Sequence, residues 1–299
     1  MTKIIMIFID GLGLGQNSSK FNPLVAANTP GLNRILGGFD LTKEIGNHNS
    51  EIATLIPTDA SLGVDGLPQS ATGQTAIFTG VNAAQKLGRH ISGFPTPTLQ
   101  KIIKEESIFK KINKMGLKTH FINTYTNDYF EKTRYHSATT LAAMAGGVRF
   151  NNVENLLSGE SLYHDLTQQI LINKGYDLPK VTPRESASRL VNATKEYDFI
   201  LFEYFRSDIV GHKQDLEESI QVIEDLDEFL LNLFKRLDWN TTLLVLTSDH
   251  GNIEDISSKT HTKNRVPTIL IGDFKEEIRK SIFDLTDLAP MIVDSFKSM

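Results

Sequence analysis

Asp249 and His250 stand side by side just beyond the apolar run Leu243–Leu246, in the stretch LLVLTSDHGN. A carboxylate beside a neutral imidazole suits a divalent cation of mixed oxygen and nitrogen preference. Asp208 and His212 are four residues apart in SDIVGH, so one helical turn would point both side chains the same way. Asp10 closes the apolar run Ile4–Ile9, and His261 lies in KTHTKNRVP ahead of a further apolar run. Three Asp and three His from four chain segments are enough for two divalent ions. Each ion would have three protein ligands and a place for an oxygen of substrate or nucleophile. Ser70 supplies a candidate nucleophile. Its hydroxyl is weak until a cation lowers its pKa, and it sits at an expected helix start, where free N–H groups receive phosphate. Each piece has a plain structural alternative: a strand-end Asp held by backbone N–H groups, a surface ion pair, a loop His, an ordinary Ser N-cap. The joint pattern outweighs them.

These residues need elements that bring them to one edge. Ile4–Ile9 and Leu243–Leu246 read as buried strands, because apolar β-type runs with no polar alternation fit a sheet covered on both faces. Phe199–Phe205, Lys118–Tyr125 and Thr268–Ile271 read as further strands. Helical spacing predicts helices over Pro30–Leu36, Ala71–Gly80, Leu99–Met115, Pro183–Lys195 and Asp215–Leu237, with Thr182 and Glu185 placed for a capping box. Strands alternating with helices predict a three-layer α/β/α fold with a mainly parallel sheet. In such sheets ligands bind beyond the carboxyl ends of the strands. The expected core covers residues 1–125 and 183–299. Residues 126–182, which lack a strong period, are expected to form a small inserted cap that begins at 126 or as early as 92. The glycines of DGLGLG do not match a dinucleotide loop, since G-x-G-x-x-G is absent.

Composition narrows the function classes. The chain is 40% hydrophobic and 22% charged with a net charge of −5, as expected of a globular protein with no nucleic-acid partner. There is no Cys, which excludes disulfides and thiolate metal sites. No apolar stretch approaches the ~20 residues that span a bilayer, and MTKIIMIFIDG reads as a first strand, not a signal peptide. The expectation is a cytoplasmic protein without a membrane partner. Nothing in the sequence specifies an oligomeric state.

The motifs resemble those of the alkaline phosphatase superfamily, most closely its metalloenzyme branch of cofactor-independent phosphoglycerate mutase and phosphopentomutase. SDIVGHKQDLEESIQVIEDLDEFL is similar to the mutase segment with the D-M-V-G-H motif. TSDHGN and HTKNRVP resemble T-A-D-H-G-N and H-T-x-N-P-V-P, with Arg265 in place of the first Pro. DGLGLG and NPLVAANTPGL resemble the first metal-binding loop, and SATGQTAIFTG resembles the nucleophile segment. The resemblance implies an alkaline-phosphatase-like core with two divalent ions, Mn2+ or Zn2+. It implies that Asp208, His212 and His261 hold one ion, and that Asp10, Asp249 and His250 hold the other beside Ser70. Ser70 would attack a phosphoryl group to give phosphoserine.

The chain also departs from that pattern. Gln74 stands where the mutases have His, and there is no room for the mutase's larger arginine-bearing inserted domain. GFPTPTLQKII resembles the entry to the phosphopentomutase cap, which is larger. Arg89, Arg134, His136 and Arg149 are the candidate substrate contacts. The expected function is metal-dependent phosphoryl transfer from a small phosphorylated metabolite, as a phosphatase or phosphodiesterase ahead of a phosphomutase. The reading from another class is a non-catalytic, metal-dependent metabolite-binding protein.

Overall fold

Strand β1 (Lys3–Ile9) has no polar face beyond its first residue. Ile5, Ile7 and Ile9 point into one buried cluster, and Ile4, Met6 and Phe8 into another. Such a strand is stable only inside a sheet covered on both sides. The computed structural model describes residues 3–272 and 281–297. Within them the other strands are β2 (His48–Asn49), β3 (Ala53–Thr58), β4 (Thr119–Phe121), β5 (Phe199–Tyr204), β6 (Thr242–Ser248) and β7 (Val266–Ile271). They form one seven-stranded sheet in the order β2-β3-β7-β6-β1-β5-β4.

Helices cover both faces. Pro183–Ala193 and Leu216–Arg236 bury Leu190, Ile223 and Phe229 against one face. Ser70–Thr79, Pro97–Glu106, Ala138–Ala145 and Leu288–Ser295 bury Phe78, Ile103, Ala142 and Ile292 against the other. This is the expected α/β/α sandwich. Local signals set the helix starts: Thr182 and Glu185 form their capping box, and Asp215 accepts the Glu218 N–H. Asp227, buried in the long helix, accepts the N–H groups of Gly31 and Leu32 at 2.8 and 2.7 Å. It thereby satisfies orphan donors at the start of the helix Pro30–Ile35.

Sheet direction departs from the simple alternation of strand and helix. β4, β5, β1 and β6 run parallel, but β7 is antiparallel to both β6 and β3, and β2 is antiparallel to β3. β3 therefore points the same way as β1, so five of the seven strands share one direction. The link from β6 to β7 contains no helix, and without a crossover helix the returning strand is antiparallel. β2 escapes sequence detection because it is only two residues long, and β3 because ATLIPT carries Pro57. That proline is tolerated because β2 pairs only with Leu55 and Thr54, leaving the Pro57 edge open.

The helix expected over Leu99–Met115 is two helices, Pro97–Glu106 and Ile108–Asn113. Ser107 between them is extended and buried, and its hydroxyl donates to the Ala142 carbonyl at 2.7 Å. Apolar spacing stays in phase across this break, so periodicity alone cannot reveal it. The strand expected over Lys118–Tyr125 is regular only over Thr119–Phe121, and then continues as isolated bridges to Leu162 and Asn151. Within residues 126–182, Ala138, Ala142 and Ala143 share the cluster of Phe78 and Phe109, whereas Leu156, Tyr163, Leu171 and Leu178 form a small cluster of their own. Of the core span expected over 183–299, residues 273–280 and 298–299 lie outside the described residues.

Candidate metal centre

The register places the chemistry. Ile9, the last residue of β1, pairs with Ser248 on one side and Tyr204 on the other. Asp10, Asp249 and the helix Arg206–Lys213 that carries Asp208 and His212 therefore leave the sheet at one edge. β3 ends at the same edge, and the loop after it delivers Ser70 as the first residue of the helix Ser70–Thr79. Because β7 is antiparallel, its start lies here too, and His261 arrives just ahead of it. A parallel β7 would have put His261 at the opposite edge.

The side chains gather as two sets, Asp10 with Asp249 and His250, and Asp208 with His212 and His261. The ligand atoms of each set all lie within 4.8 Å of one another. The rings of His250 and His261 stack at 3.7 Å, so the two sets adjoin. Ligand atoms ~2.1 Å from a shared cation stand roughly 3–3.5 Å apart, and the nitrogen–oxygen separations within the two sets, 3.2 to 3.7 Å, lie near that spacing.

In the inner set, His250 Nε2 lies 3.0 Å from Ser70 Oγ, 3.2 Å from Asp10 Oδ1 and 3.5 Å from Asp249 Oδ2. This is not the arrangement of a Ser-His-Asp triad, in which the carboxylate holds Nδ1 and the hydroxyl holds Nε2. Here both carboxylates and the hydroxyl approach Nε2, while Nδ1 finds no partner among the described residues. Several acceptors converging on one point suit a shared cation. Burial raises the pKa of Asp10 and Asp249 against the lowering pull of His250, with the charge of Asp208 adding to the rise in both and that of Asp10 adding to it in Asp249. Burial alone would lower His250, but the charges of Asp249 and Asp10 outweigh it and raise His250 to about 10. Without a cation, the set balances its charge with protons.

In the outer set, His212 Nδ1 bonds the Lys259 carbonyl at 2.7 Å and His261 Nδ1 bonds the Pro68 carbonyl at 2.9 Å. A carbonyl only accepts, so each Nδ1 carries a hydrogen, which leaves Nε2 as the ring atom that can hold a metal. These two nitrogens face each other at 3.3 Å, with Asp208 Oδ2 3.4 Å from His212 Nε2 and Asp208 Oδ1 3.7 Å from His261 Nε2. Burial and the neighbouring His250 lower His261 to about 4, which keeps it neutral at ordinary pH. Two lone pairs and a carboxylate repel unless a positive charge lies among them, so the donor set fits a divalent cation. In the inner set His250 is 0% exposed and Asp10 14%, whereas the outer set opens more widely to solvent through His212, 42% exposed.

Residues without a role in the sequence reading hold the two sets in place. Gln74 Nε2 donates to Asp249 Oδ2 at 3.0 Å and Asp10 Oδ2 at 3.4 Å. Asn252 Nδ2 donates to Asp208 Oδ1 at 2.6 Å. Buried Glu254 accepts from the N–H groups of Gly13 and Asn252, from Thr262 Oγ1 and from Asn264 Nδ2, so it ties three loops together. Two glycines allow close approach. Gly11 has φ +74° and a Cβ there would lie 2.7 Å from Asp208 Oδ1; at Gly73 it would lie 2.8 Å from the Asp249 carbonyl oxygen. Asn252 and Glu254 follow His250 within four residues, but no spacing rule marks them.

A cavity of about 600 Å³ opens beside Ser70, Asp10 and Asp208. It is also lined by Glu203, whose carboxyl burial and the nearby Asp10 raise to about 8. The four candidate substrate contacts do not line it. Arg89 is exposed after the helix Ala83–Leu87, Arg134 lies over the Tyr135 ring, and His136 packs beside Tyr129 and Phe130. Arg149 lines another cavity, with His120 and Tyr197.

Comparison with known proteins agrees with this geometry. A family model described as the metalloenzyme superfamily matches residues 2–298. The 2,3-bisphosphoglycerate-independent phosphoglycerate mutase of Moorella thermoacetica is 31% identical over 122 residues, which cover 39% of this chain and 24% of that protein. The enzyme of the same name from Francisella philomiragia is 34% identical over 129 residues, covering 40% of this chain and 25% of that protein. The chain thus spans about a quarter of the length of the curated relatives it matches. Among solved structures, the alkaline phosphatase of the Antarctic bacterium TAB5 superposes with a TM-score of 0.56 at 15% identity, covering 99% of this chain and 97% of that one. The phosphoglycerate mutase of Leishmania mexicana superposes with a TM-score of 0.53 at 11% identity, covering 98% and 95%. These likenesses give the fold as alkaline-phosphatase-like. Among the described residues no helix is long and apolar enough to cross a membrane.

Proposed function

The chain belongs to the metalloenzyme superfamily, and from that premise we propose that it is a two-metal phosphoryl-transfer enzyme acting on a small phosphorylated metabolite. The observation that carries the reading is the convergence of Ser70 Oγ, Asp10 and Asp249 on His250 Nε2, between 3.0 and 3.5 Å. In this reading Asp10, Asp249, His250 and Ser70 share one Mn2+ or Zn2+, and Asp208, His212 and His261 hold the other. When bound, such ions lower the pKa of the serine hydroxyl and neutralise charge on the transferring group.

The chain's own residues do the rest. Ser70 Oγ attacks phosphorus in line, the ester oxygen leaves with a proton, and phosphoserine remains. The N–H groups of Ala71 and Thr72 precede the first bonded turn of the helix, in which Gly73 N–H donates to the Gln69 carbonyl, so they can receive the phosphate oxygens. Gln74 holds the Asp10 and Asp249 carboxylates in place, and the carbonyls of Lys259 and Pro68 hold the His212 and His261 rings.

A mutase must shelter the intermediate from water. The segment available as a cap, residues 126–182, is short, and we favour hydrolysis. A phosphomutase is the second reading, supported by the names of the curated relatives. A cytoplasmic setting would suit Mn2+. Turnover in 18O-water separates the two readings. Hydrolysis releases labelled inorganic phosphate as fast as substrate disappears. A positional isomer formed without free phosphate would make the protein a mutase, and tight binding of esters with no turnover would make it a binding protein.

A further inference from the structure

Away from the two ligand sets, the cavity beside Ser70 changes character. Its walls become rings, with Phe94, Tyr125, Tyr129, Tyr163, His164 and Phe205 lining it. His164 stacks on Phe205 at 3.9 Å, and Tyr125 lies 4.6 Å from Tyr129. At the mouth, Phe94 is 53% exposed, as is Tyr135, whose ring stands 6.0 Å away. Large exposed rings at the mouth of a cavity that holds a candidate nucleophile mark a place where a ligand covers them.

The charges point the same way. No arginine is among the described residues lining the cavity, and Lys174 is its one strongly basic side chain. His164 is lowered to about 3, first by burial and then by Arg206, so it faces the cavity as a neutral ring. A leaving group with a carboxylate or a second phosphate would shed its water against aromatic walls, with only Lys174 to offset the cost. A flat uncharged ring would stack on these walls and expel water from them.

We propose that this cavity binds the leaving-group end of a phosphate ester, and that this end is a flat, uncharged ring. The phosphate end rests on the phosphoryl-transfer reading of Ser70 and the two ligand sets. The ring end rests on the aromatic walls, and the two can be tested apart. Aryl groups and nucleobases share this chemistry.

The test is calorimetric binding of benzylphosphonate and cyclohexylmethylphosphonate to the Mn2+-loaded protein, a pair matched in charge and size but not in flatness. Neither can be hydrolysed, so binding is read without turnover. Benzylphosphonate is expected to bind about tenfold more tightly. Phe94→Leu, at an exposed position that keeps its apolar character, is expected to shrink that preference severalfold. Equal affinities for the two phosphonates, or a preference untouched by Phe94→Leu, overturn the proposal. A nucleoside 5′-phosphonate that binds more tightly than benzylphosphonate identifies the ring as a nucleobase, and weaker binding identifies a simple aryl group. Ring preference without turnover of any ester leaves the subsite standing and sinks the phosphoryl-transfer reading. Turnover of esters with no ring preference does the reverse.

Discussion

Ser70→Ala is expected to lower kcat/KM for a phosphate monoester by a factor on the order of 10^3 or more, with folding stability within about 0.5 kcal/mol of wild type. Two observations set these sizes. The Ser70 hydroxyl has one hydrogen-bond partner among the described residues, His250, and it faces the cavity, so the fold does not depend on it. Asp10, Asp249 and His250 remain as ligands in the variant, so metal content, measured by elemental analysis, should persist. Steady-state kinetics and urea denaturation check both halves. Turnover near the wild-type rate would remove Ser70 from the mechanism. Loss of stability together with activity would point to a structural role.

Chelation is expected to abolish turnover, and Mn2+ or Zn2+ to restore it, with a metal affinity that rises with pH. The sign follows from the protons that the cation must displace. Burial raises the pKa of Asp10 and Asp249 above the usual carboxylate value, and His250 is raised to about 10. Metal uptake near neutral pH therefore releases protons and weakens as pH falls. Stability of the metal-free protein responds in two directions. Raised carboxylate pKa values mean that the folded state holds protons already shed by the unfolded chain, a cost that grows as pH rises above ~4. The raised His250 pKa contributes stability that is full below ~6.5 and is lost as pH rises through about 10. Bound cations replace the protons, and at a free concentration 100 times Kd they add about 2.7 kcal/mol per site. Titration calorimetry in buffers of different ionisation enthalpy counts the protons released. Uptake of protons on metal binding, or affinity independent of pH, would contradict the assignment of these residues as ligands.

Much of this candidate site is legible in the sequence, because its proposed ligands sit at the ends of segments whose form is locally encoded. β1 and β6 are apolar without alternation, so their ends, and with them Asp10 and Asp249, could be placed on one edge. The turn carrying Asp208 and His212 follows β5 directly. The place of His261 just ahead of an apolar run groups it with that edge, but the physical reason, an antiparallel β7, depends on which strand returns beside which. Pairing across the sheet leaves no local mark, and neither does the Ser107 break, which leaves helical phase intact. Gln74, Asn252 and Glu254 are ordinary polar residues in the sequence, and only the fold turns their side chains onto the ligands. The cationic candidates show what residue type alone leaves open. Arg89, Arg134 and Arg149 carry the charge a phosphate needs, but charge says nothing of position, and none lines the cavity beside Ser70. The aromatic residues that do line it are scattered from Phe94 to Phe205 with no common spacing.

The stereochemical course at phosphorus tests most directly whether Ser70 carries the phosphoryl group. Each in-line displacement inverts configuration, so passage through phosphoserine and on to an acceptor gives net retention, however briefly the intermediate lives. The measurement uses a monoester made chiral at phosphorus with oxygen isotopes and follows transfer to an alcohol acceptor by the metal-loaded protein. Retention is expected. Inversion would mean a single direct displacement and would remove the phosphoserine from the mechanism.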